Sequence, residues 1–200
     1  MFRGDDLLKI YDDHYNHIGI ATREEVHTKG LLHQVAHVWM FQRSGEEVFI
    51  FFQKRSAQRE LYPGKFDLIQ TTHFDPDESY EDGIIHSLDY YLGCRMKKED
   101  IVHIGSTRQH IDQENYHDNA LVQVFAMMIH KALFVMPNTE TIVKAHYCDY
   151  KAMVHGKIDA IDVYSLDDVP LGKVPRDEWW IREDEFTEVV ETYVKRHAKD

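Results

Sequence analysis

The sequence predicts a single α/β domain, and three observations carry that prediction. Residues 62–94 read as turn, strand, loop, helix and stop. Residues 34–42 and 47–55 are β-branched and aromatic runs joined by Arg43-Ser44-Gly45-Glu46, the pattern of two core strands around a turn. Near the C-terminus, Val189, Val190, Tyr193 and Val194 recur at helical spacing, which predicts a final helix from about Glu183 to His197. A chain of 200 residues buries one good core, and no repeat, low-complexity tract or linker divides it. We read 1–33 as an N-terminal hairpin and lead-in segment, 34–170 as the core, and 171–200 as a C-terminal loop and helix.

The elements follow in order. Residues 6–11 and 18–22 are short apolar runs around a turn-rich link, Asp12 to His17, and predict a β-hairpin. Residues 24–32 lead through Lys29-Gly30 into the first core strand, and a polar link, 56–61, follows the second. Pro63-Gly64 is a turn pair, and 65–71 is a short strand. Asp75 and Asp77 offer helix N-caps, with acidic residues in the first turn as the helix dipole favours. Ile84, Ile85, Leu88, Tyr91 and Leu92 make one apolar face, and Gly93 is the stop. Residues 101–108 and 120–129 predict two strands separated by a polar loop, 109–119, rich in His and Asp. Beyond it, Pro137-Asn138 reads as a turn, 141–155 is mixed, 161–166 is a strand, Pro170 cuts short a helix beginning at Asp167, and 175–180 is a loop.

Composition narrows the function. Apolar content of 43% and aromatic content of 12% suit a folded soluble protein. The net charge of −12, from 23 basic and 35 acidic side chains without a Lys/Arg cluster, argues against nucleic acid and anionic membranes as partners. No apolar run reaches membrane-spanning length, and the N-terminus has no secretory apolar region. Cys94 and Cys148 are far apart and form no Cys-x-x-Cys, so a reduced, cytoplasmic protein is expected.

The central stretch resembles the Nudix box, whose pattern is Gly, five residues, Glu, seven residues, then Arg-Glu-apolar-any-Glu-Glu-any-Gly-apolar. With Glu78 on the first Glu, Gly93 and Cys94 take the last two positions without a gap. Leu88 also matches, but the opening Gly is Thr72 and the Arg is His86, and the three metal-holding carboxylates of the helix are Ser87, Tyr90 and Tyr91. The resemblance widens around the box. Asp12, Gly19, Arg23, Val26-His27, Leu32-His33, Gln53-Lys54-Arg55-Ser56, Tyr62-Pro63-Gly64, Asp67, His73 and Glu78-Ser79 together look like the isopentenyl-diphosphate-isomerase-like branch of the Nudix superfamily. They span roughly residues 7–93. The resemblance implies an α/β/α sandwich with a mixed central sheet between the box helix and the C-terminal helix.

It also implies a site. In that branch a metal sits among histidines and glutamates, and a Cys and a Glu move protons. His27, His33 and His73 match the histidines, with one residue fewer between the first two, and Asp118 falls on the first of two late glutamates. The second falls on Ala120 and the Cys on Thr71, so ordinary isomerase activity is not expected. Lys54 and Arg55 match basic residues that meet substrate phosphate. Glu78 is the remaining box carboxylate and the catalytic candidate. Two readings stay open: a hydrolase-like protein acting on a small diphosphate compound with a divalent cation (magnesium or manganese, or zinc), or a catalytically inactive ligand- or partner-binding protein. Openness of the pocket beside Tyr90 and Tyr91 separates them, and Glu114 or Glu178 could replace a lost base. Several features also have plainer readings. The histidines could be an accident of a chain holding 14 of them, Lys54-Arg55 an exposed strand end, and the stripe Glu78, Asp82, His86 and Asp89 either a displaced metal site or a solvated helix face. Trp179-Trp180 would line a pocket or close the core. Sheet edges of this kind invite pairing into a homodimer.

Overall fold

β3 (Leu32–Ser44) is the strand on which the sheet is built. In the computed structural model, which describes residues 6–59, 61–93, 96–129 and 141–197, it pairs antiparallel with β1 (Leu7–Tyr11), β4 (Glu47–Lys54) and β6 (Gln70–His73). It also runs parallel to β8 (Tyr116–Met128), from His33 opposite Ala120 to Phe41 opposite Met128. The sheet is therefore mixed. β2 (His17–Thr22) and β11 (Pro170–Pro175) lie at the two ends of the main path, with β10 (Ala160–Tyr164) and β9 (Ile142–His146) between β11 and β4.

β3 is buried on both faces from Val35 to Phe41, which explains the unbroken apolar run 38–41. Val35, Trp39 and Phe41 enter one core with Phe52, Val122, Tyr150 and Phe186. Covering that face are α3 (Tyr147–Val154), a π-helical turn Glu185–Val190, and α4 (Glu191–His197). Ala36, Val38 and Met40 enter a second core with Ile69, Ile84, Leu88 and Phe125, under α2 (Tyr80–Leu92). The expected sandwich and N-terminal hairpin are present.

Five local expectations differ. α1 (Arg23–Lys29) is a helix where no element was assigned; Thr22 and Glu25 form a reciprocal capping box and Gly30, at φ 63°, ends it. Ser79, not Asp75 or Asp77, caps α2, its Oγ accepting from the Asp82 N–H at 3.2 Å. The strand expected over 65–71 is two: β5 (Phe66–Leu68) pairs with β4 and β6 with β3, so the chain changes partner at Ile69. The expected loop 109–119 is the tip of a long hairpin between β7 (Ile101–Gln113) and β8. Residues 170–175 form edge strand β11 rather than a loop, with prolines at its ends where the ladder tolerates them. The predicted turn at Pro137-Asn138 and the box's final residue, Cys94, lie outside the described residues.

Candidate metal centre

Three neighbouring strands and a short helix bring four side chains together. β3 lies between β6 and β8. His33 near the start of β3 is fully buried and opposes Ala120; Asp118 is two residues earlier on β8, on the same face of the pleat. His73 ends β6 opposite Val35, one diagonal step from His33. The capped start of α1 turns His27 inward beside Val26 to close the group.

The His33 Nε2 lies 3.4 Å and the His27 Nε2 3.8 Å from the Asp118 Oδ1. The three rings are 5.0–5.2 Å apart, and each offers a ligating nitrogen within 4.8 Å of the others. All three Nε2 atoms and the Asp118 Oδ1 are buried without a hydrogen-bond partner. A buried polar atom left unsatisfied costs about 1–3 kcal/mol, so four facing one another form a costly arrangement unless something satisfies them together.

Their chemistry fits a cation. The His27 Nδ1 faces the Arg23 carbonyl at 2.9 Å and the His33 Nδ1 faces the Leu31 carbonyl at 3.1 Å. A carbonyl only accepts, so each Nδ1 carries the proton and each Nε2 keeps its lone pair. Burial drives the His27 pKa down to about 4 and holds His73 well below the usual imidazole value. It also lowers His33, against the pull of Asp118. Neutral imidazoles are the ligand-competent form. The guanidinium of Arg23 adds a positive charge that all three feel.

Behind this group runs a buried polar chain. The Gln109 Nε2 donates to the Asp118 Oδ2 at 2.6 Å, and the Arg182 Nη1 donates to the Gln109 Oε1 at 2.6 Å. The other Arg182 nitrogens reach the Asp67 Oδ1, and the Arg55 Nη1 donates to the Asp67 Oδ2 at 2.6 Å. Beside it, Glu185 accepts from the Trp39 Nε1 at 2.6 Å and pairs with the His37 Nδ1 at 2.7 Å. Burial opposes ionisation of Glu185, but His37 and Arg182 outweigh it and hold its pKa below the usual value. Nothing in the sequence marks Gln109, Arg182, Glu185 or His37 as site residues.

The other predicted site residues lie elsewhere. Arg55 is spent on Asp67 and the Leu61 carbonyl. Lys54 is 45% exposed and faces Glu178 at 3.4 Å. Glu78 borders a cleft of about 280 Å³ with Thr71, His73 and His86, on the α2 side, and folds back over Gly83 so closely that a Cβ there would sit 2.9 Å from its Oε2. The box positions carry no carboxylate, and Ser87 instead accepts from the Gln70 Nε2 at 2.6 Å. Asp82 is committed to Ser79 and Lys98. The stripe it shares with Glu78, His86 and Asp89 is thus a solvated face at that point. Tyr90 lines the cleft and is 64% exposed, so its ring does not fill it. Glu114 is exposed at the tip of the β7–β8 hairpin. Trp179 is buried against Phe52, Phe66 and Tyr150, whereas Trp180 stacks on Tyr62 and under Arg182.

No protein-family model matches the chain. An uncharacterized Nudix hydrolase of Clostridium acetobutylicum is 27% identical over 161 residues, 78% of each chain. An isopentenyl-diphosphate Delta-isomerase of Shigella boydii is 25% identical over 143 residues, 71% of this chain and 75% of that protein. Among solved structures, DR0079 from Deinococcus radiodurans superposes with a TM-score of 0.50 at 12% identity, over 68% of this chain and 79% of that one.

Proposed function

We propose that this chain, a Nudix-superfamily protein by its relatives, is a metal-dependent hydrolase of a small diphosphate compound, working from the histidine side of its sheet rather than from the carboxylate positions of the box helix. The observation that carries this reading is the convergence of four unpartnered buried atoms, the Nε2 of His27, His33 and His73 and the Oδ1 of Asp118. Those four residues would hold the cation. Three imidazoles and one carboxylate suit zinc or manganese better than magnesium, which favours oxygen donors and bound water. A cation bound there would supply Lewis-acid stabilisation of phosphate charge and a water more acidic than bulk water.

The chain's own groups do the rest. Arg23 places positive charge beside the centre for an anionic substrate. Lys54 can leave Glu178 for a phosphate at little cost, because an exposed ion pair contributes about 0–1 kcal/mol. Arg55 instead keeps Asp67 in place. Glu78, in the adjoining cleft, is the carboxylate positioned to take a proton from water or to meet a second cation. Thr71 and Ala120, in place of the proton-moving Cys and Glu of the isomerase branch, remove the groups that isomerisation would need. Where phosphate release is absent but a ligand stabilises the metal-loaded protein, the chain is a binding protein built on the same centre. A homodimer through edge strand β2 or β11 is tested by its mass in solution.

The experiment is phosphate release from nucleoside diphosphate compounds with added zinc, manganese or magnesium, with bound metal measured on the same samples. His33→Ala is expected to lose both metal and turnover, and Glu78→Gln to lose turnover while keeping metal. Full metal retention by a folded His33→Ala variant sinks the proposal.

A further inference from the structure

We infer that Gln109 is a positioning residue for this centre: it ties up the second oxygen of Asp118, so that the carboxylate presents only one oxygen to a cation. The inference rests on the reading that His27, His33, His73 and Asp118 bind that cation.

The two oxygens of Asp118 have different surroundings. Oδ1 faces His33 and His27 and has no hydrogen-bond partner. Oδ2 accepts from the Gln109 Nε2 at 2.6 Å. The side-chain amide of Gln109 can be oriented in only one way. A carboxylate only accepts and a guanidinium only donates, so the nitrogen must face Asp118 and the oxygen Arg182. Arg182 is itself fixed, because its Nη2 and Nε reach the Asp67 Oδ1 at 2.9 and 3.2 Å and its guanidinium lies 3.7 Å from the centre of the Trp180 ring. Asp67 is fixed in turn by the Leu68 N–H and by Arg55. Rotating Gln109 away would break two hydrogen bonds at once, and both its partners are buried.

The consequence is a donor count. With Oδ2 occupied, and with Ala120 rather than a carboxylate opposite His33, the described residues at the centre offer three nitrogens and one oxygen. Four nitrogen and oxygen donors suit a zinc-like ion and fall short of the six or more oxygens that calcium takes or the octahedral shell that magnesium requires. Gln109 thereby acts on which ion is chosen without touching it.

The test titrates the metal-free full chain with cobalt(II) and with zinc(II), followed by visible absorption and calorimetry. The wild-type protein is expected to give the intense visible bands of low-coordinate cobalt, and His33→Ala to lose them. Gln109→Met keeps the length and removes both hydrogen bonds. It is expected to bind about 10–100-fold more weakly, with shifted bands as the freed oxygen joins the ion. Thermal melting of the metal-free variants checks folding, and where the Met variant does not fold, Gln109→Glu takes its place, since it keeps the bond to Arg182 and loses the donor to Asp118. A folded variant with the wild-type affinity and spectrum overturns the inference. Weak six-coordinate bands in the wild-type protein overturn it as well. If the folded wild-type protein binds neither ion, the metal reading itself fails and takes this inference with it.

Discussion

The two faces of the sheet handle polar groups in opposite ways. On the α2 face, the described polar groups near the Nudix-box positions have partners: Gln70 donates to Ser87, and Asp82 is shared between Ser79 and Lys98. On the α3–α4 face, four atoms at the centre of a dense hydrogen-bond network lack partners. Burial without a partner is costly, so the histidine side has the character of a site, and the α2 side borders it at the cleft that Glu78 shares with His73. α2 has the length and glycine stop of the Nudix box that it resembles, with Ser87, Tyr90 and Tyr91 at the positions of that box's carboxylates. Geometry and chemistry can therefore separate: α2 packs Ile84 and Leu88 against the sheet whether or not it binds metal.

The sharpest way to break this comparison is to remove a link on each face. Arg182 is buried and bonded to Asp67 and Gln109, so Arg182→Met leaves Asp67 short of a partner in a dry site and is expected to cost about 3–5 kcal/mol. Lys98→Ala on the box face removes an exposed ion pair and is expected to cost less than about 1 kcal/mol. Urea unfolding of both variants measures the difference. Equal costs would mean that the two networks are alike and that burial does not set them apart.

A smaller effect concerns the helices that seal the histidine face. Glu191 on α4 is buried and meets Lys151 at 2.9 Å, Lys195 at 3.3 Å, and His155. Burial alone would raise its pKa, but hydrogen bonds from these cations outweigh it and bring it down to about 2. The unfolded carboxyl titrates near its usual value of 4.5. Because the folded pKa is the lower, the stabilisation is complete above about pH 4.5 and disappears as pH falls through about 2. It amounts to about 1–3 kcal/mol. Glu191→Gln should flatten that part of the melting-temperature profile, and an unchanged acid profile would remove Glu191 from the seal.

The comparison also explains what could be read from the chain. The core strands and box helix were legible because their apolar residues face a core on a regular period. His27, His33, His73 and Asp118 were found by resemblance, and they meet in space. Gln109 is not legible as a site residue, because 109–119 reads as a polar loop. The strands there put polar side chains toward the histidine group on one face and toward water on the other, so no apolar alternation marks them. Arg182 and Glu185 sit in the charged run Arg-Glu-Asp-Glu at the start of the last helix, which has the look of a solvated first turn, yet both are buried. Only tertiary pairing with Asp67 and His37 distinguishes them from their exposed neighbours Glu183 and Asp184. α1 left one signal that was missed, since Thr22 and Glu25 stand at capping-box spacing before Val26.

The smallest expected effect is the most discriminating. Ser87 occupies a carboxylate position of the box and makes one neutral hydrogen bond, to Gln70. Ser87→Ala removes the acceptor and should cost about 1 kcal/mol, the usual net contribution of such a bond. If the centre lies on the opposite face, metal affinity in this variant should stay within about twofold of wild type, because a change of about 0.4 kcal/mol or less corresponds to that ratio. Calorimetric titration with zinc reads it directly. A tenfold loss would place a metal ligand, or its support, on α2. Metal binding would then draw on the box helix itself, and the assignment of the ion to the unpartnered histidine nitrogens alone would fail.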